Sequence, residues 1–150
     1  MKIVKRLLIF LLCIVMAGGI LFLISIPRVN DHIAKHTMTE LAQVPMPEQT
    51  KCIEKVSAAG KLSGNGNGMQ YLGALLVKSN LSLKDLKKYY AANTPRKWYC
   101  DVERQKGQSL RASEHVDLGF KHTVKGKNYY VVYAWGDYDG IYSELDLRGH

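Results

Sequence analysis

Five residues near the middle of the chain, Gly64-Asn65-Gly66-Asn67-Gly68, have the composition of a phosphate cradle. Such loops hold phosphate when their backbone amides lead into a helix N-terminus, as in the G-x-G-x-x-G dinucleotide fingerprint. Gly64 and Gly66 have that spacing, but position 69 is methionine and the residues beyond it read as a strand. The G-x-x-x-x-G-K pattern fails as well, because Gly60-Lys61 has lysine at position 55 and Leu62 behind it. No nucleotide site is expected. Two Asn-Gly steps between strand-like segments instead predict a hairpin or bulged loop, supplying positive φ at its centre. A loop tip whose Asn65 and Asn67 touch a ligand is the remaining functional use.

Three further groupings could do chemistry. His32, His36 and Glu40 recur at i, i+4 and i+8, a stripe that could hold Zn²⁺. No second histidine-rich element accompanies them, and an exposed polar helix face has the same spacing, so no metal is expected. Cys100 with His115 or His122 could form a thiol nucleophile and base, as in a small cell-envelope hydrolase, provided a third group oriented the base. His122 also falls in line with Phe120 and Val124 and fits a half-buried sheet position. Asp137-Tyr138-Asp139-Gly140 has the opening of a calcium loop without its later positions or flanking helices, and reads as a turn. No catalytic residue and no cofactor is expected.

Two other features bear on recognition. Tyr129, Tyr130, Tyr133, Trp135, Tyr138 and Tyr142 are mostly core material. Tyr138 and Tyr142, if displayed at a strand end, could form a recognition surface for a glycan or peptide, and Asn65 and Asn67 of the loop tip are further candidates for such a surface. Cys52 and Cys100 are the only cysteines beyond residue 27 and could pair as a disulfide in an oxidising compartment, the alternative being two buried thiols.

The compartment follows from the N-terminal residues. Lys2, Lys5 and Arg6 precede Leu7–Ile26, twenty residues without a charge. As a helix this run is about 30 Å long, the thickness of a bilayer's hydrocarbon core. It predicts a signal-anchor whose basic flank stays in the cytoplasm, leaving residues 28–150 outside. Cleavage after Val15-Met16-Ala17 would instead give a secreted domain, but would leave the apolar Ile20–Ile26 on its new N-terminus. Leu11-Leu12 before Cys13 argues against a lipoprotein, and Gly18-Gly19 lacks the G-x-x-x-G spacing of a dimerising span. Three of the 21 basic residues lie in the anchor, leaving 18 against 13 acidic ones, a net charge of +5. That balance suits solubility or attraction to an anionic envelope surface. Its dispersed lysines do not suggest nucleic acid.

The elements that must position these residues fall into three parts: an anchor over 1–27, a connector over 28–50, and an exported domain over 51–150. In the connector, Asn30-Asp31 can cap a short helix that Pro45 and Pro47 stop. Strands are expected over 51–58, 69–79, 98–103, 117–124, 129–135 and 141–147. Between the second and third, Ser82 and Asp85 form a capping box for a helix with Leu83, Leu86 and Tyr90 inward, ended by Asn93 and Pro95. The order β-β-α-β-β-β-β predicts an α+β domain, an antiparallel sheet with one packed helix. Strands 69–79 and 129–135 are apolar on both faces, so each face needs a cover. The expectation is a single-pass membrane protein whose small extracytoplasmic domain binds a protein or envelope polymer without catalysis, in an accessory, inhibitor or immunity-type role.

Overall fold

The computed structural model describes residues 2–95 and 98–150. It opens with α1, Lys2–Leu41, a single 40-residue helix about 60 Å long at 1.5 Å per residue. Its mean hydropathy reaches 3.1 over the best 18-residue window, long and apolar enough to cross a membrane, and none of that window is buried. Pro27 lies inside this helix, so the short helix expected to begin at Asn30-Asp31 is its continuation. From Ile26 onward the helix enters the domain, with Ile26, Asn30, Ala34, Thr37 and Leu41 all buried. Steps of four, four, three and four residues make this one helical stripe.

Four antiparallel strands follow: β1 Thr50–Gly60, β2 Gln70–Ser79, β3 Tyr99–Arg104 and β4 Tyr129–Gly136. They lie side by side in the order β1-β2-β4-β3. Between β2 and β3 runs α2, Leu83–Asn93. Since β2 and β3 both pair antiparallel with β4, they run parallel to each other, and α2 is the crossover that joins them. Ser82 accepts the Asp85 amide at 3.2 Å, Thr94 closes the helix, and Leu86 and Tyr90 are its buried residues. The Lys87 ammonium bonds Asp101 of β3 at 2.7 Å.

Among the described residues the fold is α+β with four strands, not six. The expected strand over 117–124 is irregular chain, touching the sheet pattern only in one isolated bridge between Ser109 and Gly119. The expected closing strand over 141–147 is a short helix, α3 Ile141–Leu145, and a 3₁₀ turn at Leu147–Gly149. Ile141 and Leu145 stand one helical turn apart, a spacing that alternation in a strand also satisfies when Ser143 lies between them.

Both faces of the central strands are covered. Leu75, Val77, Val132 and Ala134 pack with Leu41, Val44, Leu86 and Tyr90, so α1 and α2 share one face. Leu72, Ala74, Leu76, Val131 and Tyr133 pack under Leu62, Leu110 and Phe120, so the loop between β3 and β4 covers the other. Where α1 crosses the sheet the contact is close. A Cβ on Gly73 would collide with the Met38 backbone, and one on Gly136 with Thr37.

Candidate functional site

The Asn/Gly stretch is the turn of the β1–β2 hairpin. Positive φ falls on Gly64 (76°) and Gly68 (135°), and on neither Asn65 nor Asn67. The connection spans 61–69, longer than a two-residue Asn-Gly turn, and is held from outside. The Gly64 amide donates to Glu114 at 2.9 Å, and the Gly64 carbonyl lies 2.7 Å from His115 Nε2. The Gly68 amide donates to the Gly149 carbonyl at 2.6 Å. Asn65 and Asn67 remain exposed at the tip.

The thiols do not pair. Cys52 sits on β1 and Cys100 on β3, opposite edges of the sheet, and both are free. Three strand spacings, about 14 Å, separate those edges, twice the reach of a disulfide. Burial raises both thiols above their ordinary pKa of 9.0. Cys100 packs with the helix-covered face, whereas His122 meets Tyr129 of the loop-covered face at 3.1 Å and His115 is bonded to Gly64. The sheet therefore stands between Cys100 and His122.

The histidine stripe does come together with an aromatic. His32, His36 and Glu40 line a small hollow whose other walls are Trp98, Asp137 and Tyr138. His36 Nδ1 is 3.2 Å from Glu40, and among the described residues no three His, Cys, Asp or Glu side chains are grouped to hold a metal. Tyr138 packs edge-on against Tyr71, with ring centroids 5.9 Å apart at 89°. On its other side a second hollow, of about 460 Å³, is lined by Asn67, Met69, Asp139, Glu144 and His150. Tyr138 and Asp137 line both hollows, so the two adjoin as one groove-like surface, the first hollow against α1 and the second against the last residues of the chain. Of the four recognition residues read from the sequence, Asn67 and Tyr138 meet here. Asn65 stays at the loop tip, and Tyr142 turns away, its ring 5.7 Å from Phe22 of α1.

Behind Tyr138, on the far side of the Tyr71 ring it packs against, lies a buried polar cluster not apparent in the sequence. Asn30, fully buried, donates to the Tyr142 carbonyl at 2.8 Å and to Asp146 at 2.7 Å, and accepts the Tyr71 hydroxyl at 2.8 Å. Arg148 donates to Asp146 at 2.8 Å, to Asp31 at 2.7 Å and to the Pro27 carbonyl at 3.1 Å. The Arg148 hydrogen bonds outweigh burial and hold the Asp146 carboxyl down at about 2. Burial lifts the Tyr71 phenol to about 12, so it stays a neutral donor. Each polar atom of Asn30 is thus satisfied, as a buried amide requires. The signal lay in Asn30-Asp31 and Asp146-x-Arg148, more than a hundred residues apart, with nothing local to connect them.

The groove can offer carboxylates, an imidazole and a phenol to a polar ligand, on a frame tied to α1. Comparison with family models, curated proteins and solved structures gives no match for this chain.

Proposed function

We propose that this is a single-pass membrane protein that presents a small non-catalytic binding domain on the extracytoplasmic side of the membrane. One observation carries the reading: α1 is bare and apolar over its first half and part of the domain core over its second. A helix shared in this way fixes the domain's height and orientation above the bilayer, which suits docking onto a neighbour in the same envelope. The basic residues at 2, 5 and 6 favour a cytoplasmic N-terminus.

The thiol route to catalysis is disfavoured, because Cys100 and His122 lie on opposite faces of the sheet. Raised pKa values leave Cys52 and Cys100 as weak nucleophiles. The partner is a protein or an envelope polymer, met at the groove around Tyr138 and Asn67, in an accessory, inhibitor or immunity-type role. The test is photo-crosslinking in intact cells, with p-benzoylphenylalanine at Tyr138 and, as control, at exposed Arg111 on the opposite loop. A discrete adduct from position 138 alone supports the reading. Equal patterns from both positions, or fast alkylation of Cys100 at neutral pH, would overturn it.

A further inference from the structure

The residues of α3 and the following 3₁₀ turn carry an apolar surface that the domain does not cover. Leu147 is 85% exposed, Ile141 56% and Leu145 45%. Isolated exposed apolar side chains are ordinary, but three within seven residues point to a contact with something apolar. Ile141 and Leu145 share one side of α3, one turn apart, while Glu144 lines the polar groove on another side. The short segment is therefore amphipathic.

Its position identifies the occupant. The Tyr142 ring packs on Phe22, which lies four residues, about 6 Å, before the end of the apolar run at Ile26. Leu145 and Leu147 share a hollow with Leu23, Ile26 and Pro27. The exposed apolar surface of the spanning segment thus adjoins Leu145 and Leu147 across this hollow, which Asp146 and Arg148 also line. Tyr142 stands where aromatic side chains gather at a membrane–water boundary. Arg28 is exposed at the same level of α1, where lipid phosphates would lie. Arg148, bound to Asp146, Asp31 and the Pro27 carbonyl, fastens the segment to α1 at this height.

We propose that residues 141–147 are a second membrane contact, resting in the interface of the outer leaflet with Ile141, Leu145 and Leu147 among the upper acyl chains. This rests on α1 being the membrane anchor. Two contacts, one spanning and one lying flat, would stop the domain from tilting about α1 and leave the Tyr138 groove facing away from the lipid at a set angle.

The experiment uses the full chain in vesicles of phosphatidylcholine and phosphatidylglycerol, with p-benzoylphenylalanine placed singly at Leu147, Leu145, Val15 or Asn65. After irradiation, lipid adducts are counted by mass spectrometry and protein adducts by gel. The expected result is lipid adduct at 147 and 145 approaching that at Val15 and several-fold above that at Asn65. Lipid at Val15 but none at 147 and 145 would sink this proposal while sparing the anchor. No lipid at Val15 would sink both. A dimer band from 147 would show that a second copy, not lipid, covers the patch, and would also overturn the proposal.

Discussion

The two faces of the sheet are buried by different means. One is covered by helices: α2 brings Leu86 and Tyr90, and α1 brings Leu41 and Met38, onto Leu75, Val77 and Val132. The other is covered by irregular chain between β3 and β4, which inserts Leu110 and Phe120 over Leu72, Leu76 and Val131. A helix satisfies its own backbone and needs only an apolar stripe. Irregular chain must find a partner for each amide and carbonyl. Here side chains supply part of the answer. Gln105 donates to the carbonyls of Gly107 and Ser109, and Gln108 to those of Phe120 and Lys121. Glu54 on β1 accepts the amides of Lys121 and His122 at 2.9 and 2.8 Å. The helical cover is a standing element, while the loop cover is pinned at points.

The largest expected effect tests that difference. Phe120→Ala removes the anchor of the loop cover at a cost of about 3–5 kcal/mol, read as a fall in the urea midpoint of the full chain in detergent. Amide exchange should accelerate over 105–128 while α2 keeps its protection. Leu86→Ala, at about 2–5 kcal/mol, should instead loosen both covers, because α2 is the crossover between β2 and β3. If Phe120→Ala speeds exchange in α2 as much as in the loop, the faces form one cooperative unit and the contrast fails.

Next in size is the crossing of α1 and the sheet. Gly73→Ala drives a methyl group into the Met38 backbone and should destabilise by about 1–3 kcal/mol. Gly66→Ala, where nothing lies within 4 Å and φ is not positive, should change stability by less than about 0.5 kcal/mol. Equal effects would mean that α1 does not approach the sheet this closely.

The same contrast explains what the sequence could and could not disclose. The cover by α2 was readable because Leu83, Leu86 and Tyr90 keep helical spacing behind a Ser82–Asp85 cap. The two central strands were readable because Met69–Ser79 and Tyr129–Trp135 are apolar on both faces. The second half of α1 was obscure because its buried stripe includes Asn30, Ala34 and Thr37, two polar residues and one small one, at the points of closest approach. The segment 117–124 resembles a strand in sequence for a related reason. Leu118, Phe120 and Val124 do face inward, but from loop geometry that mimics alternation. The groove was half legible. Tyr138 and Asn67 stand out by residue type, whereas the Asn30, Asp146 and Arg148 cluster behind Tyr71 depends on contacts across the whole chain.

That cluster makes a pH prediction of similar magnitude. Asp146 is held at about 2 against an ordinary value of 3.8. A depressed carboxyl contributes stability that is fully present above its unfolded value and is lost as pH falls through its folded one. The contribution, about 2 kcal/mol, should therefore disappear between roughly pH 4 and pH 2. Asp146→Asn should lower the unfolding midpoint at neutral pH and flatten the acid limb. Part of the limb survives, because Glu54 is also shifted down, the amides of Lys121 and His122 outweighing burial. An unchanged acid limb would mean that Arg148 does not hold this carboxyl in solution.

The smallest effect on stability separates the groove from the loop tip. Asn65 and Asn67 are both exposed, and replacing either with alanine should move stability by less than about 0.5 kcal/mol. Their positions differ, since Asn67 lines the hollow beside Tyr138 and Asn65 does not. If the groove receives the partner, Asn67→Ala should weaken crosslinking from position 138 while Asn65→Ala leaves it intact. If both substitutions weaken it equally, the contact is made by the hairpin tip as a whole and the groove is only its flank. If neither does, Asn67 takes no part in recognition, and the contact lies toward His32, His36 and Trp98 on the α1 side of Tyr138.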